Sequence, residues 1–201
     1  MSVFVDWLTS HFINHKIIRE EDAPWFKYGL EKRITTVIVM VPFLIVAALL
    51  TNLFIALSFF ISFYALRSRT NGFHANRFWT CCIFSILIEI FFLCIVYPLL
   101  TRTAIYITSF GGMIIIFFLA PYNHSNMHLS KQELSACRLS ARIHSLCILI
   151  VVIITGALNV MEVAKGFTLG MTMAAFLLCL AYLLKGGSSN EKGNRCRQKN
   201  A

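Results

Sequence analysis

Long apolar runs constrain this chain more than any other feature. Cys81 to Pro98, Ala104 to Ala120, Ile143 to Leu158 and Gly166 to Leu184 are each nearly free of charge, and Ile34 to Leu66 is a longer run of the same kind. A bilayer's hydrocarbon core, about 30 Å thick, is crossed by roughly 20 predominantly apolar residues in a helix. A soluble core has no place for so many such segments in so short a chain. The composition agrees: 58% of the 201 residues are hydrophobic, 13% are charged, and the mean hydropathy is +0.72. The chain reads as an all-α polytopic membrane protein.

The run from Ile34 to Leu66 is too long for one straight span, since at 1.5 Å per residue it would extend about 50 Å. The distribution of basic residues decides how it is used. If it turns back near Thr51 and Asn52, the chain has six transmembrane helices and both termini on one side. Sixteen of the 18 Lys and Arg residues then fall on that side, and Arg102 and Lys165 alone fall on the other. The positive-inside rule makes the richly basic side cytoplasmic. This topology accounts for most of the net charge of +9 without nucleic acid as a partner, and it leaves a basic inner surface suited to a bilayer with anionic lipids.

Three regions follow. Residues 1–33 form a cytoplasmic-side segment in which Phe4, Leu8 and Phe12 make an apolar stripe with Trp7 beside it, the pattern of an amphipathic interfacial helix. A turn at Pro24 leads to a second short helix feeding the first span. The first apolar patch carries Asp6 and has no basic leader or small-residue cleavage site, so it is not expected to be removed. Residues 34–184 form the six-span membrane domain. Residues 185–201, rich in Gly, Ser and basic residues, are expected to be a disordered cytoplasmic tail.

Most of the seven cysteines lie in or beside apolar runs, where cysteine acts as a small hydrophobe, and neither a disulfide framework nor a zinc-ligand spacing emerges. Cys81 differs in its setting. It follows the polar stretch "RSRTNGFHANRFWT" and falls in the first turn of the next span, where the positive end of the helix dipole and nearby Arg77 favour a thiolate. His74 is the closest base in sequence. On a continuous helix, seven residues would separate the two by about 10 Å along the axis, so a bend is needed to bring imidazole to sulfur, and Asn71-Gly72 supplies a break. From the residues alone the alternative stays open: a solvated interfacial histidine and a packing cysteine.

The ordered set "YGLE" at Tyr28 to Glu31, Arg67, "NGFHA" at Asn71 to Ala75, a cysteine seven residues after the histidine, and "LAPYNHSNMHLSKQE" after the fourth span resembles the accessory gene regulator B family. The family consists of bacterial cell-membrane cysteine endopeptidases that process quorum-sensing propeptides. The resemblance runs from about Trp25 to Leu184. It implies His74 and Cys81 as the catalytic pair, with Arg67 and Gly72 supporting them in the same loop, an active site at the cytoplasmic face, and a short AgrD-like propeptide as partner. It further implies cleavage through an acyl thioester on the cysteine and transfer to an internal side chain to close a macrocycle. Where the family usually shows "GGYHA" and "APVD", this chain has Asn71, Phe73 and "APYN".

Arg67, Arg69, Arg77 and Lys131 together are suited to an acidic substrate tail. Glu89, deep in the third span, is expected to serve in packing or interhelical hydrogen bonding. His124 and His128 are too few to complete a metal site, and no cofactor is implied. Self-association into a homo-oligomer is left open. The competing reading is a small peptide or ion transporter in which the histidine loop lines a pathway.

Overall fold

The computed structural model describes residues 2–15, 18–70, 78–122 and 131–199, and these are helical throughout apart from short turns. Helices α1 (Ser2–Asn14), α2 (Ala23–Leu50) and α3 (Leu53–Thr70) are followed by α4 (Phe78–Phe91). A π-helical turn over Phe92–Val96 continues α4 into the short α5 (Tyr97–Leu99). Then come α6 (Arg102–Leu119), α7 (Lys131–Ala157) and α8 (Met161–Lys199). The chain divides into two compact units, Met1–Ile45 and Val46–Ala201.

In the first unit, α1 is tied to the start of α2 by an ion pair between Asp6 and Lys27 and by the Phe12 and Phe26 rings, 5.4 Å apart. Val5 and Thr9 are buried, while Asp6, Trp7, Ser10 and His11 are exposed. The helix is therefore two-faced, with its buried positions one turn apart.

The long Ile34 to Leu66 run breaks at Thr51 and Asn52, as its length requires. Thr51 donates its hydroxyl to the Ala47 carbonyl, and Asn52 caps α3 by accepting from the Ile55 N–H at 2.9 Å. Five helical stretches are long and apolar enough to cross a membrane: Leu53–Thr70, Cys82–Leu99, Arg102–Leu119, Leu134–Ala157 and Met161–Leu184. The sixth expected stretch, Thr36–Leu50, is shorter. Lys32 and Arg33 bound it on one side and the Thr51 break on the other, leaving roughly 22 Å of apolar helix at 1.5 Å per residue.

Within the second unit α3 and α8 form the central pair. Gly170 of α8 lies so close to α3 that a Cβ there would come within 2.6 Å of the Phe59 carbonyl oxygen and 2.7 Å of the Phe63 nitrogen. Ser62 donates across the same contact to the Phe167 carbonyl at 2.9 Å. Lipid tails are as apolar as Leu, so helices in a bilayer associate through close backbone approach and such hydrogen bonds rather than through hydrophobicity. Helix α6 joins α8 through the buried Ser109 and Thr168 hydroxyls, 2.9 Å apart. The apolar span of α8 is 56% buried against 17% for that of α4, which makes α8 the axis of the unit and leaves α4 at its margin.

The π-helical turn has a local cause. Pro98 has no N–H and its ring crowds the carbonyl four residues back, so the ordinary ladder fails there. The preceding turn widens, and the Tyr97 N–H reaches the Phe92 carbonyl instead. Between α7 and α8, Asn159 takes a left-handed φ of 59°. The Val160 and Asn159 N–H groups return to the Thr155 and Gly156 carbonyls, a Schellman closure of α7.

Candidate active site at one end of the bundle

The second unit has two distinct ends. At one of them Arg102 donates to the Gly156 carbonyl at 3.1 Å, and the Lys165 ammonium sits 5.1 Å from the centre of the Tyr97 ring. The two basic residues separated from all others by the charge pattern thus share an end.

At the other end α3 and α6 finish and α7 begins. The last carbonyls of a helix have no partners within it, and in a bilayer each unsatisfied group costs several kcal/mol. Other elements meet that demand here. Arg142 of α7 donates its Nε–H to the Phe117 carbonyl at 3.1 Å and lays its guanidinium 4.3 Å from the Phe117 ring centre. Tyr182 of α8 donates its hydroxyl to the Leu119 carbonyl at 2.8 Å. Just beyond α6, the Tyr122 N–H donates to the Thr70 carbonyl at 3.0 Å, and the Tyr122 and Tyr182 rings meet edge to face at 5.0 Å. Four helices are latched together around the point where α3 releases the chain toward α4.

Arg67 and Arg69 lie in the last turn of α3. Two residues apart on a helix they diverge by about 200°, and the consequence is visible: Arg69 is exposed, whereas Arg67 is half-buried with its Nη1 out of solvent. Thr70, fully buried, ends the helix. Cys81 is the fourth residue of α4, in its first turn as expected, and Lys131 is the first residue of α7. The side chains of Cys81 and Lys131 lie outside the described residues, as do Gly72, His74 and Arg77 in the connecting segment, and His124 and His128. Of the expected site residues, the structure places Arg67, Arg69 and the backbone of Cys81 at or beside one end of the bundle.

Cys94, Cys137, Cys147 and Cys179 are free thiols. Glu89 is fully buried, as a packing residue would be, but among the described residues neither carboxylate oxygen has a hydrogen-bond partner. Its expected hydrogen-bonding role is not met there. Sequence reasoning missed the latch of Arg142, Tyr122 and Tyr182. The usable signal was the pair of helix ends with carbonyls to be satisfied and the long Arg and Tyr donors that follow them in sequence.

An all-helical protein with five candidate membrane-crossing helices, a basic end and a cysteine opening one of its spans belongs to the class of multi-pass membrane proteins. The model of the family described as accessory gene regulator B matches residues 3–178, and the chain belongs to that family. Membership implies a role in processing a quorum-sensing propeptide. No curated protein and no solved structure matches the chain.

Proposed function

We propose that this protein is a membrane-embedded cysteine endopeptidase that cleaves a short AgrD-like propeptide and supports its macrocyclisation. The observation carrying the proposal is the family match across residues 3–178, together with the position of Cys81 in the first turn of α4. Unpaired N–H groups at that turn favour a sulfur that bears negative charge. In this reading His74 takes the Cys81 proton and the sulfur attacks the scissile carbonyl. The C–N bond breaks, the amine leaves with the proton returned by His74, and the core is held as a thioester. An internal thiol or hydroxyl of the core then attacks the thioester, closing the ring and restoring the Cys81 thiol. Thioester exchange is close to neutral in energy while hydrolysis is downhill, so exclusion of water by the lipid boundary protects the product.

This reading requires that the chain bend between α3 and α4 to bring His74 to Cys81, a bend that Gly72 would permit, with Arg67 as a supporting residue. Arg69, Arg77 and Lys131 hold an acidic portion of the substrate at the cytoplasmic face. Six spans place both termini in the cytoplasm, with Thr36–Leu50 tilting or thinning the bilayer to cross.

The test is purified protein in lipid, incubated with its propeptide. Cys81→Ser and His74→Ala each reduce cleavage at least a thousandfold while leaving expression and thermal stability unchanged. Normal cutting by both variants, or no labelling of Cys81 by a thiol-directed probe, removes the peptidase reading. The transport alternative draws on buried Glu89 and on the histidine loop as a pathway lining; it requires that Glu89→Gln stop peptide movement into vesicles while Cys81→Ser transports normally.

A further inference from the structure

At the end of α1, His11 and, just past the helix, His15 lie one turn apart, and the His11 ring also meets the Phe12 ring edge to face at 6.4 Å. His11 and His15 are both exposed, their ring centroids are 4.4 Å apart and their planes are inclined at 64°. The His15 N–H donates to the His11 carbonyl at 3.1 Å, which holds the pair in helical register. Trp7 stacks on the His11 face at 5.6 Å and 15°, fixing that ring's plane without engaging its nitrogen edge. Among the described residues neither imidazole makes a hydrogen bond or ion pair, and Asp6, the carboxylate on the same helix, is paired with Lys27. His144 differs, since its Nδ1 is bonded to the Ser140 carbonyl oxygen at 2.7 Å.

The geometry points to a two-ligand site for a divalent transition-metal ion, Cu²⁺ foremost, formed by His11 and His15. An imidazole nitrogen binds such an ion at about 2.0–2.1 Å, which puts each ring centroid roughly 3.2 Å from the metal. Centroids 4.4 Å apart then subtend roughly 90° at the ion, the angle between neighbouring positions of a tetragonal or octahedral centre, whereas a tetrahedral ion needs about 5.2 Å. Tetragonal geometry with nitrogen ligands selects Cu²⁺ or Ni²⁺, and the intrinsic affinity order places Cu²⁺ first. No group of three or more His, Cys, Asp or Glu suited to a metal occurs among the described residues, so water fills the remaining positions and the ion stays exchangeable. A metal bridging positions i and i+4 closes the last turn of α1 and couples its helicity to metal supply. The site is independent of the chemistry at Cys81.

The test uses the full-length protein in nanodiscs of zwitterionic lipid, with Trp25→Phe and Trp79→Phe leaving Trp7 as the sole indole and thiols capped by N-ethylmaleimide. Cu²⁺ quenches Trp7 fluorescence saturably at one ion per chain, and EDTA restores it. His11→Gln and His15→Gln each raise the midpoint at least tenfold while circular dichroism stays unchanged. Electron paramagnetic resonance shows two coordinated imidazoles in the parent and one in each variant. A smaller midpoint shift in either variant, or the same nitrogen count in parent and variants, overturns the site.

Discussion

In hydrocarbon a hydroxyl has no water to bond, and several of the described threonines settle theirs locally. Thr108, Thr155, Thr168 and Thr172 each donate to the carbonyl four residues back. Glu89 has no such recourse, because a carboxyl on a helix cannot be silenced by its own backbone as a threonine is. A buried, unpartnered polar group costs about 1–3 kcal/mol, so Glu89→Leu should raise stability by that amount in an unfolding titration in detergent, with no gain if a bound group pairs with the carboxyl. Arg142 is the opposite case, since its guanidinium serves both a carbonyl and a ring. Arg142→Ala should lower stability by about 1–2 kcal/mol, and Arg142→Lys should recover less than half, because a point-like ammonium cannot reproduce both contacts.

At the scale of helices, close approach is the controlling quantity, and two glycines separate its effects. Gly170→Ala puts a methyl within 2.6 Å of the Phe59 carbonyl oxygen, so backbone must move, and a loss of about 2–3 kcal/mol is expected. Gly111→Ala meets nothing within 4 Å and should gain up to about 1 kcal/mol from helix propensity. Thermal unfolding of the two variants side by side checks this, and equal shifts would contradict the α3–α8 contact. Asn159 provides a backbone test. At φ 59° glycine is unstrained and a β-branched residue is not, so Asn159→Gly should be neutral or slightly stabilising and Asn159→Val should cost about 1–2 kcal/mol. Hydrogen exchange at the α7 C-terminus reports the difference.

For the molecule as a whole, the two ends of the second unit make the proposed orientation testable. Arg102 and Lys165 share the end away from the latch, and the proposed topology, drawn from the positive-inside rule, predicts that this end faces outside the cell. In intact cells, cysteines introduced at Thr103 and Val160, in a background lacking other reactive thiols, should react with a membrane-impermeant maleimide. One introduced at Arg69 should react only after permeabilisation. The reverse pattern would place Cys81 on the outer surface and remove the cytoplasmic site.

Much of this architecture is legible in the order of residues, because hydrophobic length and Lys/Arg placement are one-dimensional quantities that the bilayer reads directly. The break at Thr51 and Asn52, the opening of α4 just before Cys81 and the separation of Arg102 and Lys165 from the other cations all follow from them. The family follows from motifs at fixed intervals. Other features depend on which surfaces meet. That α8 is the axis and α4 the margin, that Arg142 and Tyr182 close the end of α6, that Glu89 is sealed away, and that Arg67 turns inward while Arg69 does not are decided by packing. Side chains equally apolar in sequence are sorted in three dimensions by how closely their backbones approach, a property no linear pattern carries.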